Sequence, residues 1–258
     1  MFSYLDTFTS IYLLVLCTLL GLVMGSALNC LAWRIVHKEK WSGGRSHCPD
    51  CGHELKTTDL VPLFSYLFLK GRCRYCGKKI SPRYPAAEGL LALIYVSLLL
   101  RYGLTAETAE LMILCSCLFC LSLVDLDSQI IPDRFLIIGA AVRVSYLLLF
   151  RQPLLPPLVC GLAMGGGILI LSLIMDKVLG KDSMGGGDIK LLFVLGLYLD
   201  LPCCFLMLIL ACIIGIVLAL VLGAKKDMAF PFGPALSLAA WLTLLFGSSL
   251  TGWYLSLF

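Results

Sequence analysis

The chain has 258 residues, 60% of them hydrophobic and 14% charged, with a net charge of +4 and a mean hydropathy of +0.95. A soluble domain carries about 25% charged residues, so a water-soluble globular protein is excluded, and so modest a net charge gives no reason to expect a nucleic-acid partner. The expected fold class is an all-α polytopic membrane protein, with the lipid bilayer as its first partner.

The first ten residues contain Asp6 and neither Lys nor Arg, so no cleaved signal is expected and residues 11–33 read as a retained span. A polar stretch, 34–87, follows. It contains Cys48-Pro49-Asp50-Cys51, then 21 residues, then Cys73-Arg74-Tyr75-Cys76, with Gly52 and Gly77 after the two pairs. Cys-x2-Cys places two thiolates on one tight knuckle, and two knuckles supply the four sulfurs of a structural zinc site. The expectation is one zinc per chain on Cys48, Cys51, Cys73 and Cys76, giving a zinc-ribbon-like loop. Two disulfides are the alternative, disfavoured in a reducing cytosol. His37, His47 and His53 share the loop and read as solvated polar residues. The other nine of the thirteen cysteines lie in apolar runs and read as small packing residues.

A membrane-spanning helix needs about 20 apolar residues. Seven further candidates follow at 88–104, 108–124, 134–150, 157–178, 188–200, 202–223 and 233–257, making about eight spans. The sixth of the eight, 188–200, is short, and Asp200-Leu201-Pro202 punctuates it. The domain reading is a first span (1–33), a four-cysteine loop domain (34–87) and a membrane-embedded core (88–258). No convincing internal repeat is visible. Gly165-Gly166-Gly167 lies inside an apolar run and reads as a helix-packing surface.

Cytoplasmic loops collect Lys and Arg. With the N-terminus outside, 17 of the 20 basic residues fall inside: eleven in 34–87, with Arg134, Lys177, Lys181, Lys190, Lys225 and Lys226. Only Arg101 and Arg151 fall outside, and Arg143 lies within a span. Eight crossings with both termini outside fit this bias.

Two acidic stretches abut the apolar runs: Asp125-Leu126-Asp127, followed by Pro132-Asp133, and Gly185-Gly186-Gly187-Asp188. A carboxylate at the edge of hydrocarbon is costly and defaults to a functional hypothesis. Asp125 and Asp188 are 63 positions apart, yet the topology brings both to the cytoplasmic boundary. Two adjacent carboxyls cannot both ionise comfortably. One takes a proton from attacking water while the other, protonated, polarises a peptide carbonyl. Three glycines before Asp188 would let a substrate backbone approach closely. Helix capping and an ion or proton pathway remain open at this level, the latter giving a transporter with a zinc-ordered loop. Asp127 and Asp133 compete with Asp125. Glu88 reads as an acid that recognises a cationic group or snorkels, and Lys190 as facing lipid headgroups.

The order of motifs carries a resemblance. Gly25-Ser26-Ala27-Leu28-Asn29 and Arg34 precede the two cysteine knuckles; Ser81-Pro82-Arg83-Tyr84-Pro85 and Glu88 follow; Asp125 and Gly-Gly-Gly-Asp188-Ile-Lys complete the set. Nearly the whole chain resembles the bacterial type IV prepilin peptidases, which are Gly-x-Gly-Asp aspartyl proteases of the inner membrane. The resemblance implies that Asp125 and Asp188 are catalytic, that the substrates are prepilins or pseudopilins of pili, type II secretion or competence, and that a basic leader is cut on the cytoplasmic side. It also implies N-methylation of the new terminus with S-adenosylmethionine, without assigning residues to the donor.

Overall fold

A computed structural model of the chain describes residues 6–40, 46–180, 184–221 and 230–256. Arg45, Lys181, Lys225 and Lys226, four of the charges used for orientation, lie outside the described residues. Among the described residues there are nine α-helices: α1 Thr7–Val36, α2 Phe64–Phe68, α3 Arg83–Tyr102, α4 Ala106–Ser128, α5 Asp133–Leu149, α6 Leu155–Leu179, α7 Gly186–Gly196, α8 Leu201–Val221 and α9 Gly233–Leu255. Among the described residues extended backbone pairs at two isolated bridges, His47 with Glu54 and Arg72 with Lys79.

Each of the eight predicted segments falls on a helix. Six of them, α1, α3, α4, α6, α8 and α9, are long and apolar enough to cross a membrane. The 17 residues of α5 and the 11 of α7 fall short of that measure. At 1.5 Å per residue they extend roughly 25 and 16 Å against a hydrocarbon core of about 30 Å. The predicted sixth span is thus a half-helix. It ends at Gly196, where the Leu197 and Tyr198 amides bond back three residues to Val194 and Leu195 and tighten the last turn.

The chain divides into two compact units, Met1–Thr108 and Ala109–Phe258. In the first, α1 lies along α3 with almost no side chain between them. A Cβ added at Gly21 would sit 2.5 Å from the Ala92 Cα, and one at Gly25 would sit 2.8 Å from the Glu88 Cα. This small-residue spacing is how helices approach where lipid offers no hydrophobic drive to associate. The opposite face of α1 exposes Ile11, Val15, Leu19 and Val23, a cost in water and none in hydrocarbon.

In the second unit α4 is the most enclosed span, with Leu114, Leu118, Leu121 and Val124 almost fully buried. The α6–α7 contact is again built on glycine: Gly161 meets Leu197 and the Phe193 carbonyl, Gly165 meets Phe193, and Gly196 meets the Gly161 backbone. Of the three glycines at 165–167, only Gly165 packs; Gly166 and Gly167 face open space. Most of the cysteines read as packing residues are buried, including Cys115, Cys117, Cys120 and Cys204, whereas Cys212 is exposed.

Candidate active site and metal centre

The two cysteine knuckles are copies of one structure. In the first, the Cys48 amide donates to the His53 carbonyl, Gly52 to Cys48, and Leu55 to Ser46, at 3.0, 2.9 and 2.8 Å. In the second, 25 positions on, Cys73 donates to Lys78, Gly77 to Cys73, and Ile80 to Gly71, at 2.8, 2.9 and 2.8 Å. Gly52 and Gly77 close the knuckles at φ +70° and +72°, where a side chain would be strained. All four Sγ atoms lie within 4.8 Å of one another. A tetrahedral zinc with bonds near 2.3 Å needs sulfurs about 3.8 Å apart, so the four thiols fit a metal after a small contraction. The Cys76 and Tyr75 amides, donating to the Cys73 sulfur, hold that thiol down at about 7 against the opposing effect of burial.

Asp59 organises the same loop. Its side chain is 3% exposed; Arg74 Nε lies 2.8 Å from Oδ1, and the Tyr75 hydroxyl and Lys56 amide donate to Oδ2 at 2.9 and 3.1 Å. Burial alone would raise this carboxyl, but the Tyr75 hydroxyl, the Lys56 amide and the Arg74 charge together hold it below the usual carboxylate range. The histidines are engaged elsewhere: His53 stacks on Tyr75 at 3.7 Å, and the His37 Nδ1 lies 2.8 Å from the Trp33 carbonyl. Glu88 does not snorkel. It is buried, and its Oε2 accepts the Leu63 amide at 2.8 Å. A cavity of about 700 Å³ in this unit is lined in part by Trp33, Arg34, Tyr66, Tyr84 and Glu88.

The second unit brings the two motif aspartates together. Asp125 lies in the last turn of α4, is 4% exposed, and its Oδ2 accepts the Gly233 amide at 2.9 Å. Gly233 begins α9, so this amide is one of the donors a helix start leaves unpaired, and the helix dipole there favours a carboxylate. A Cβ at 233 would fall 2.7 Å from that oxygen. Asp188 is the third residue of α7, behind the Gly185 N-cap. Its Oδ1 is buried with no hydrogen-bond partner among the described residues, and the carboxyl is close enough to Asp125 for the two charges to interact. Two acids 63 positions apart in sequence thus lie within range of each other's charge, with one Asp125 oxygen bonded and one Asp188 oxygen unbonded among the described residues.

The competing acids lie apart from this pair. Asp127 is exposed. Asp133 is exposed and bonded by Lys190 at 2.8 and 3.0 Å; Lys190, read from sequence as facing headgroups, ties α5 to α7 instead. The three glycines before Asp188 differ. Gly187 packs on Ile131, where a Cβ would come within 2.9 Å; Gly186 faces open space; and a Cβ at Gly185 would touch the Asp188 carboxylate at 3.2 Å. Gly233 was missed in the sequence, although its position between Pro231 and Pro234 at the head of an apolar run is a helix-start signal.

Comparison with known proteins agrees along the chain. The family described as bacterial peptidase A24 N-terminal domain matches residues 19–102, and the type IV leader peptidase family matches residues 112–220. A protein of Pseudomonas putida named prepilin leader peptidase/N-methyltransferase is 33% identical over 93% of this chain and 92% of its own length. Proteins of the same name are 36% identical over 82% of the chain and 75% of their length in Aeromonas salmonicida, and 30% identical over 92% and 96% in Bacillus subtilis. No solved structure matches significantly.

Proposed function

Because the chain belongs to the type IV leader peptidase family, we propose that it is a membrane aspartyl endopeptidase that removes the basic leader from type IV prepilins or pseudopilins and then N-methylates the new terminus. Asp125 and Asp188 carry the hydrolysis. Asp125, whose Oδ2 accepts the Gly233 amide, is the ionised base: an amide donor suits a carboxylate acceptor. It takes a proton from water as the water oxygen attacks the scissile carbonyl. Asp188, whose Oδ1 has no hydrogen-bond partner among the described residues, holds a proton and gives it to the carbonyl oxygen. When the tetrahedral carbon collapses, Asp125 passes its proton to the leaving amine, and Asp188 recovers one from the hydroxyl that becomes the acid. No covalent intermediate forms, and both residues end as they began.

Gly185, Gly186 and Gly187 form the approach for the substrate backbone, the first two being exposed beside Asp188. The four cysteines hold one structural zinc, which orders the loop 34–87 between the first span (1–33) and the membrane core (88–258). The Lys and Arg bias supports an active site facing the cytoplasm from the inner membrane. S-adenosylmethionine, when bound, would supply an electrophilic methyl to the new amine, with sulfur keeping the electrons of the broken C–S bond and the amine losing a proton to water.

The observation that supports the peptidase reading is that the Asp125 and Asp188 carboxyls, 63 positions apart in sequence, lie close enough for their charges to interact. The test is cleavage of a prepilin by purified Asp125→Asn and Asp188→Asn proteins that insert and elute like the parent. Each should lose cleavage by at least the order of 10²–10⁴ expected of an acid–base group. Normal cleavage by either variant would remove that residue from the mechanism.

A further inference from the structure

The loop between α1 and α3 turns an apolar face outward. Phe64, Leu67 and Phe68 of the short helix α2 are 51, 69 and 84% exposed. Spacings of three and four residues put them on one side of the helix. Ser65, Tyr66 and Leu69 take the other side and line the cavity inside the unit. We propose that α2 is an in-plane membrane anchor: the three apolar side chains enter the acyl boundary of the cytoplasmic leaflet, and Lys70 and Arg72 bind the phosphates of acidic phospholipids. The proposal rests on the membrane reading and orientation given above and is independent of the peptidase chemistry.

The depth of α2 follows from one hydrogen bond. The Leu63 amide, at the start of α2, donates to Glu88 Oε2 at 2.8 Å. Glu88 is the sixth residue of α3, about 7.5 Å along the axis from Arg83. With 20 residues, α3 is roughly 30 Å long and matches the hydrocarbon core. A group fastened to its second turn therefore sits at the edge of that core. The neighbouring α1 gives the same level. Gly21 meets Ala92 and Gly25 meets Glu88, so the two helices are antiparallel, and Arg34 lies nine residues, about 13 Å, further toward the loop. Thus α2 begins on the membrane side of the first basic residue of the loop.

Backbone geometry holds the helix there. Leu63 at φ +58° and Lys70 at φ +51° flank it in a region that bulky residues rarely enter and keep only where their surroundings impose it. Charge then selects the occupant of the apolar face. Lys70 and Arg72 are exposed directly after it, and aromatic and aliphatic side chains beside basic ones are the pattern of a segment lying in the headgroup plane. Basic residues at that level are drawn to an anionic leaflet. The same two charges repel a basic leader, and they would meet themselves across a two-fold contact with a second copy of the chain.

The test uses the full chain in nanodiscs of phosphatidylglycerol carrying a diazirine high on its acyl chain. After photolysis, mass spectrometry should find lipid adducts on 61–69 as well as on α1 and α3. The triple variant Phe64→Ser, Leu67→Ser, Phe68→Ser should lose the first and keep the others. The double variant Lys70→Glu, Arg72→Glu should lower labelling of 61–69 about fivefold or more in phosphatidylglycerol and match the parent in a phosphatidylcholine probe of the same design. Adducts on α1 and α3 with none on 61–69 of the unaltered chain would overturn the anchor. A prepilin bearing photoreactive leucines that crosslinks to 61–69 and displaces the lipid adducts would also overturn it and give the surface to the substrate helix. Equal labelling of parent and charge variant in phosphatidylglycerol would remove acidic lipid as the partner. Absence of adducts from every span would defeat the membrane reading itself. Should a variant aggregate, labelling of the unaltered chain decides.

Discussion

Arg143 of α5 donates its Nε–H to the Leu197 carbonyl at 2.9 Å and so closes the C-terminal end of α7, the helix whose first turn carries Asp188. A helix that stops short leaves carbonyls without partners, an expense that hydrocarbon does not forgive. Arg143 meets it while its own charge is matched by Glu110, whose side chain is 2% exposed, at 3.3 Å. Tyr198 completes the cluster: its ring lies 5.1 Å from the Arg143 guanidinium, and its hydroxyl donates to the Gly139 carbonyl at 2.8 Å.

Removing one partner of a buried pair strands the other, typically at about 3–5 kcal/mol. Arg143→Met should therefore lower the thermal midpoint in detergent by several degrees and reduce prepilin cleavage, because α7 loses its distal anchor. Arg143→Met combined with Glu110→Gln should recover much of the stability. Equal midpoints for the single variant and the parent would show that the cluster holds nothing.

Gly233→Ala tests the link between α9 and Asp125. The added methyl would sit 2.7 Å from the carboxylate, so either α9 or Asp125 has to shift. Cleavage should fall by about tenfold or more, as positioning losses of this size do, with the melting curve and helical circular dichroism near those of the parent. Full activity would mean that the amide contact does not position the acid.

Metal analysis of the purified protein should give about one zinc per chain. Cys73→Ser or a strong chelator should remove it, and protease cuts should then appear within 46–80 while the spans stay protected. Both knuckles should open together, since neither pair of thiolates alone completes a tetrahedron. Stoichiometric disulfides at these positions would contradict both the metal and the cytoplasmic placement.

Asp59 predicts a pH dependence for the stability of the folded loop. Its carboxyl is held below the usual range in the folded chain, so its stabilising contribution is fully present above the ordinary value near 3.9 and is lost as pH falls through the folded value. The gap in thermal midpoint between the parent and Asp59→Asn should be widest at neutral pH and close below about pH 4. A gap that persists in acid would mean that shape, not charge, makes the residue important.

The sequence reveals the helices because apolar runs report directly on lipid, and the four-cysteine cluster because paired Cys-x2-Cys knuckles have the spacing that metal geometry demands. Asp125 and Asp188 are visible for a related reason: acids are conspicuous against hydrocarbon. Gly233 is invisible as a partner of Asp125 because 108 positions separate them and the contact uses a backbone amide. Asp59 hides as one polar residue in a polar loop. The duplication of the knuckles escapes notice because only Cys-x2-Cys-Gly repeats in letters, while the rest repeats in main-chain hydrogen bonds. Arg143 stands out as a charge inside a span, but nothing local pairs it with Glu110, 33 positions away.

The glycine contact between α1 and α3 leaves the two helices no slack. Gly25 rests on the backbone of Glu88, so any tilt that one helix adopts to match a thicker or thinner bilayer drags the other with it. The depth of the Glu88 carboxyl, and with it the anchoring of Leu63, is therefore geared to membrane thickness. Reconstitution in lipids of graded chain length should register as a graded change in the protection of the Leu63 amide.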